Sequence, residues 1–122
     1  MDESLRVAIE LFNEQQFSEF QDALEGMISH TRAASERQFY VLLDNLAESL
    51  LQLSDGDVSE AEEIISAALR KMDEFVPRFR EINTEALRED FRRVLLELRE
   101  VQAGRKFEFA PSKLPRLRVL PG

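Results

Sequence analysis

Apolar residues recur every three or four positions through most of the 122-residue chain, and no proline interrupts this pattern before Pro77. Such spacing places the apolar side chains along one face of an α-helix, whereas a strand would need strict alternation. Because a proline within a helix removes a hydrogen bond and clashes with the preceding turn, its absence permits long helices. The pattern predicts an all-α fold of five helices, over residues 3–15, 18–32, 35–54, 59–75 and 84–103.

Each predicted helix has an apolar stripe that would form the core of a compact bundle. The predicted core residues are Leu5, Ile9, Phe12, Phe17, Phe20, Leu24, Met27, Ile28, Phe39, Leu42, Leu43, Leu46, Leu50, Ala61, Ile64, Ile65, Ala68, Leu69, Met72, Leu87, Phe91, Val94, Leu95 and Leu98. The chain length suits one such domain. We predict a helical bundle domain over residues 1–104, followed by an extended basic and apolar C-terminal tail over residues 105–122.

An internal similarity indicates how the helices are arranged. The segments "FNEQQFSEFQDALEGMI" and "LSDGDVSEAEEIISAAL" align at an offset of 41 residues, with Ser18 opposite Ser59 and Leu24 opposite Ile65. Both segments lie at a predicted junction between two helices. The bundle is therefore predicted to consist of two helical hairpins plus a fifth helix.

Signals for helix ends support these divisions. Ser18, Ser35 and Ser59 are each followed three residues later by glutamine or glutamate, which is the pattern of a capping box. These serines are predicted to cap the second, third and fourth helices. Gly56 is predicted to take the left-handed conformation that closes the third helix.

Composition narrows the function classes. The chain has no cysteine, which excludes disulfides, thiolate metal sites and cysteine nucleophiles, and the N-terminal segment carries acids where a signal peptide needs positive charge. No apolar run approaches the roughly 20 residues of a membrane span. We therefore predict a cytoplasmic protein without membrane segments. Glycine-rich phosphate loops and familiar catalytic motifs are also absent, so no cofactor is predicted.

Charge is distributed unevenly along the chain. Residues 105–122 have five basic residues and one acid, a net charge of +4. Because the whole chain carries −8, residues 1–104 carry a net charge of −12. An acidic body repels a phosphate backbone, which argues against nucleic-acid binding through the body and leaves only the tail to contribute to it. The basic tail is attracted to the acidic body, and we predict that it lies extended across an apolar-lined groove of the bundle or of a neighbouring subunit.

Three acids near the start of the second helix suggest a metal or acid/base site. At about 100° per residue, however, Glu19, Asp22 and Glu25 point away from the apolar stripe, and Glu19 and Glu25 are too far apart to share one ion. Acids in a first turn also stabilise the positive end of a helix. Asp44 and Glu48 form a second pair, which we expect on a solvated face.

The single histidine, His30, excludes a site that needs two imidazoles. Because it lies near the end of the second helix, it is predicted to interact with the last carbonyl groups there.

The segments "LFNEQQFSEFQDALE", "RQFYVLLDNLAESLLQLSDGDVSEA" and "PRFREINTEALREDFRRVL" resemble the small helical proteins called domain of unknown function 309. Gln21 replaces the histidine of the family pattern and Ile28 its tryptophan, while Gln15 replaces a glycine. The resemblance implies a compact helical bundle, without an established activity. The family-motif positions in this chain are Asn13, Phe17, Glu19, Gln21, Asp22 and Glu25.

The residues favour a non-catalytic, cytoplasmic module that binds a protein partner or itself through the tail. The alternative is a small metal-dependent hydrolase that uses the acids of the second and third helices. No catalytic, cofactor-binding or metal-binding residue is assigned. The predicted partner-binding residues are Phe107, Phe109, Leu114, Arg116, Leu117 and Arg118.

Overall fold

Five α-helices form the protein in the computed structural model, which describes residues 1–106, 109 and 114–121. The helices are α1 (Glu3–Asn13), α2 (Phe17–His30), α3 (Ala34–Ser54), α4 (Val58–Met72) and α5 (Thr84–Gln102). The described residues form no strand, only two isolated bridges that pair Ile82 with Phe79 and with Val119. The all-α prediction is confirmed. Among the described residues, no helix has the length and hydropathy of a membrane span.

Consecutive helices pack against one another, from α1 against α2 through to α4 against α5. Short connections of three residues join the first four helices, so neighbouring helices run antiparallel, as hairpins require. Gly56 closes α3 with a φ of 85°, as predicted.

The predicted stripes form the core. Every predicted core residue is buried except Met27, Ile28, Ile64 and Leu69, which are half-buried at the edges of their stripes. Phe12 packs edge-on against Phe17 and Phe20, with ring centroids 5.3 and 5.1 Å apart, and so links α1 to α2. The core is thus continuous between the first two helices.

The prediction of serine caps is wrong. The N-cap residues of α2, α3 and α4 are Gln16, Ala33 and Asp57, so each predicted serine lies inside the first helical turn. Only Asp57 of these three makes a side-chain cap, accepting a hydrogen bond from the main-chain N of Glu60 at 3.0 Å. In α4 the Asp57 carboxylate, one residue before the helix, caps the N–H of Glu60, so the helix begins at Val58 and Ser59 is not its cap.

The connection between α4 and α5, residues 73–83, is held by aromatic packing. Phe75 and Phe79 each contact Phe39 of α3, with ring centroids 5.3 and 4.5 Å apart. The hydroxyl of Thr84 donates to the carbonyl O of Phe75 at 2.6 Å. The connection is therefore fixed against the bundle, although it is not helical.

A polar chain adds to this attachment. The Tyr40 hydroxyl donates to Glu36 at 2.8 Å, and Glu36 pairs with Arg80 of the connection. Burial, followed by the neighbouring Glu36 carboxylate, raises the pKa of Tyr40, so the hydroxyl stays a hydrogen-bond donor. The loop that follows α4 thus has a defined position beside the start of α3.

Candidate functional site

The C-terminal residues 114–121, called the strap here, lie extended on the helical body. They contact three elements that are distant in sequence: the end of α1, the middle of α5 and the connection before α5. The prediction of an extended tail is confirmed for this segment. The strap is the most distinctive polar site in the described structure.

Asn13, the last residue of α1, binds the main chain of the strap with both ends of its side-chain amide. Its Nδ2 donates to the carbonyl O of Leu117 at 2.9 Å, and its Oδ1 accepts from the N–H of Leu117 at 2.8 Å. Asn13 is on the apolar stripe of α1, four residues after Ile9. The helix therefore directs this amide towards the strap, where it satisfies both main-chain groups of one residue.

Asp90 in α5 is the second anchor and is only 5% exposed. Its Oδ2 accepts hydrogen bonds from the main-chain N of Arg116 at 3.2 Å and from Arg118 at 2.8 Å, while its Oδ1 pairs with Arg93. A buried carboxylate is stable only when donors surround it, and here two guanidinium groups and one N–H group do so. Asp90 thus fixes both ends of the short segment around Leu117.

The connection before α5 supplies main-chain partners. The N–H of Asn83 donates to the carbonyl O of Arg118 at 2.8 Å, and the N–H of Leu120 donates to the carbonyl O of Glu81 at 2.7 Å. The strap and this connection therefore pair like two short antiparallel strands. With the main chain bonded on this side and at Asn13 and Asp90, the segment 116–120 has a single defined path.

Two of the predicted partner-binding residues hold the strap to its own chain. Leu117 is 2% exposed and belongs to the core, so its side chain is not available to a partner. The expectation that Leu117 contacts a partner is corrected on this ground: its apolar side chain gains more from burial on the body than from solvent exposure. Arg118 pairs with Asp90, while the side chain of Arg116 is exposed.

Phe109 and Leu114 are half-buried, and Phe109 packs against the core. Together with Phe17, Leu51 and Leu53 they line an open groove of about 470 Å³ at the end of α3. The predicted residue Phe107 lies outside the described residues.

The family-motif position Gln21 links α2 to α3. Its Nε2 donates to the Glu48 carboxylate at 3.0 Å and approaches the carbonyl O of Asp44 at 3.4 Å. Glu48 also accepts from Gln52 at 2.8 Å. The Gln21 side chain is thus part of a hydrogen-bonded contact between two helices.

Asp44 is half-buried, so the expectation of a solvated face is wrong at this residue. Burial raises the pKa of its carboxyl group, and the nearby carboxylates of Glu48 and Glu25 raise it further. Residues of α2, among them Gln21, pack close enough to Asp44 to cover it. At neutral pH the protonated and ionised forms of Asp44 therefore differ less in free energy than those of an exposed aspartate.

The other acids that suggested a metal site are on the surface. Glu19, Asp22 and Glu25 are all exposed on α2. Within the described ranges, no three Asp, Glu or His side chains are grouped as a metal ion would require. His30 is also exposed, and its Nδ1 lies 2.7 Å from the carbonyl O of Gly26, which agrees with the predicted interaction at the end of α2.

Sequence reasoning missed Asp90, although a signal was present. Asp90 interrupts the apolar stripe of α5, because it lies three residues after Leu87 and four before Val94. A charged residue at a core-facing position needs a buried partner. That partner, the strap, cannot be identified from periodicity because it lies outside any helix.

Comparisons of this chain with protein-family models, with curated proteins and with solved structures find no match. The resemblance to domain of unknown function 309 remains a prediction.

Proposed function

We propose that the protein is a non-catalytic, cytoplasmic helical module that binds a protein partner through the outer side of its strap. The observation that carries the proposal is the excess of arginine around Asp90. Three arginines, Arg93, Arg116 and Arg118, lie around this one carboxylate through side-chain or main-chain contacts. Arginines therefore outnumber the carboxylate that they surround, although the whole chain carries −8.

The strap presents its outer side chains in a fixed arrangement. Pro115 and Leu117 are buried, whereas Arg116, Arg118 and Val119 are exposed, Val119 to 49%. Because the main chain is held at Asn13, Asp90 and the connection before α5, little conformational freedom is lost when a partner binds these side chains. A fixed pair of arginines beside an exposed valine is a suitable contact surface.

The charge and shape of this surface define the partner chemistry. The exposed Arg116 side chain attracts carboxylates, Arg118 adds positive charge beside its pair with Asp90, and Val119 offers an exposed apolar contact next to them. Arginine is enriched among the residues that dominate binding energy at protein interfaces. The proposed partner is therefore an acidic protein segment that carries an apolar side chain, and its association should weaken as salt screens the charges.

The test compares matched variants of the full chain. Arg116→Gln with Val119→Ser removes the exposed charge and apolar contact but keeps the main-chain hydrogen bond to Asp90. Arg32→Gln with Val7→Ser makes the same two changes at other exposed positions and is the control. A protein that copurifies with the wild-type chain is identified, purified and titrated against all three chains.

We expect the strap variant to bind this protein at least about tenfold more weakly than the wild type, and the control to bind as the wild type does. Added salt should weaken the complexes of the wild type and of the control. Equal melting temperatures for the three chains would show that each is folded. Equal affinity of the strap variant and the wild type would contradict the proposal, as would a binding segment that is not acidic.

A further inference from the structure

A second surface is an open furrow between α3 and α4. It consists of two grooves, of about 380 and 310 Å³, that share Asn45 and Lys71 and so join end to end. Val41, 42% exposed, lies in the first groove, and Ile64 and Ala67 line the second. The furrow therefore has an apolar floor along two antiparallel helices.

The furrow carries charges of both signs. Arg37 lies in the groove near the C-terminus of α4, Lys71 lies where the two grooves join, and Glu60 and Glu63 lie in the groove near the N-terminus of α4. Within the described part of the chain, none of these four side chains is in an ion pair. The furrow thus offers unpaired positive and negative groups on one continuous surface.

A surface that carries positive and negative side chains along one helix can be complementary to a copy of itself. In a two-fold interface residue i of one subunit contacts residue j of the other, and j contacts i. Lys71 follows Glu63 by eight positions on α4, or about 12 Å along the helix, and Ala67 is midway between them. A two-fold axis beside Ala67 places each Lys71 opposite the Glu63 of the other copy.

The same axis brings Glu60 opposite Glu74. Glu60 is roughly 10 Å along α4 from Ala67, and Glu74 lies two residues beyond the end of α4, so both are away from the centre, where two crossing helices have begun to diverge. Arg37 lines the same groove as Glu74 and offsets its charge. The short side chain of Ala67 lets the two α4 helices approach closely at the centre, where the Lys71–Glu63 pairs lie.

We propose that the protein forms a symmetric dimer in which the α3–α4 furrow of one copy packs against that of a second copy. Lys71 and Glu63 form two equivalent ion pairs across the axis, and the apolar floor that includes Val41 and Ile64 is covered. This interface is separate from the strap, so it stands whether or not the strap binds a partner.

The test uses charge reversal in the full chain, with mass measured by sedimentation velocity at concentrations up to about 1 mM. Lys71→Glu places two acids opposite each other in a dimer, and Glu63→Lys places two bases opposite each other. Each variant alone should be a monomer at concentrations where the wild type is a dimer. An equimolar mixture of the two should again form a dimer, because every facing pair is then oppositely charged.

Arg70→Glu is the matched control, since it reverses a charge at an exposed position of α4 that does not line the furrow. It should remain a dimer, as should the strap variant Arg116→Gln with Val119→Ser. Recovery of the dimer in the mixture would also show that both single variants are folded. A monomeric wild type up to about 1 mM, a dimer that survives Lys71→Glu, or a mixture that stays monomeric would each overturn the proposal.

Discussion

Asn13 and Leu117 are joined by a pair of hydrogen bonds, from Nδ2 to the carbonyl O at 2.9 Å and from the N–H to Oδ1 at 2.8 Å. One side chain at the end of α1 thereby satisfies both main-chain groups of a buried residue in the strap. The stability of the whole chain should depend on this amide, since an unpaired buried main-chain group costs free energy.

Asn13→Ala should lower the free energy of unfolding by about 1 to 3 kcal/mol, because it removes two hydrogen bonds and leaves their main-chain partners unsatisfied. Denaturant unfolding measures the change. Asn45→Ala, at a half-buried position of α3, is the control and should change stability by less than about 0.5 kcal/mol. Equal effects of the two substitutions would mean that the strap does not contribute to folding.

Leu117→Ala should lower the free energy of unfolding by about 2 to 5 kcal/mol, because the side chain is 2% exposed and its truncation leaves a cavity in the core. Val119→Ala, two residues later and 49% exposed, should cost under about 0.5 kcal/mol. Thermal or denaturant melts of the two variants provide the comparison. Similar melts would show that the strap is not packed as described.

The backbone of Gln15 has the left-handed conformation, with a φ of 63°. Residues with a side chain disfavour this conformation, whereas glycine adopts it freely. Gln15→Gly should therefore raise the free energy of unfolding, by up to about 1 kcal/mol after the greater freedom of glycine in the unfolded chain is subtracted. Gln38→Gly, within α3, should instead lower it by about 1 kcal/mol. Loss of stability in both variants would contradict the strain at Gln15.

Asp44 should make stability depend on pH. Its folded-state pKa is raised by burial and then by Glu48 and Glu25, so the folded chain holds this proton to a higher pH than the unfolded chain does. Ionisation of Asp44 therefore reduces stability at pH values above the folded pKa, and the reduction disappears below the ordinary value of about 3.9. Asp44→Asn should be more stable than the wild type at pH 7, with a smaller difference as the pH falls towards 4.

Urea unfolding of the wild type and Asp44→Asn between pH 4 and pH 7 measures this difference. Asp22→Asn makes the same change of charge on the exposed surface of α2 and shows how much of the effect comes from net charge alone. A difference for Asp44→Asn that is constant with pH, or that grows towards pH 4, would rule out the raised pKa.

Local patterns in the sequence predict those structural features that depend only on residues close together in the chain. The apolar stripe of α3 and the left-handed Gly56 are both properties of a few consecutive residues, and both are found as predicted. At α4 the predicted cap Ser59 failed because Asp57 was an equally local competitor that the capping-box pattern did not weigh. Helix existence was therefore predictable, and the first residue of each helix was less so.

The candidate site depended on contacts that no local pattern contains. Asn13 and Leu117 are 104 positions apart, and Asp90 is 28 positions from Arg118. Charge and apolar content predicted that the tail would lie on the body, but the partners of each residue required the packed helices. Asp44 shows the same limit, because its burial comes from α2 and not from its own helix.

The separation of Asn13 from Leu117 also sets an order of events during protein synthesis. A ribosome that adds about 5 to 20 residues per second makes α1 roughly 5 to 20 s before Leu117. During that interval the end of α1 has no strap to bind, and the apolar surface that Leu117 later covers is open to chaperones and proteases. The nascent chain therefore completes this part of its core only after the strap has emerged from the exit tunnel.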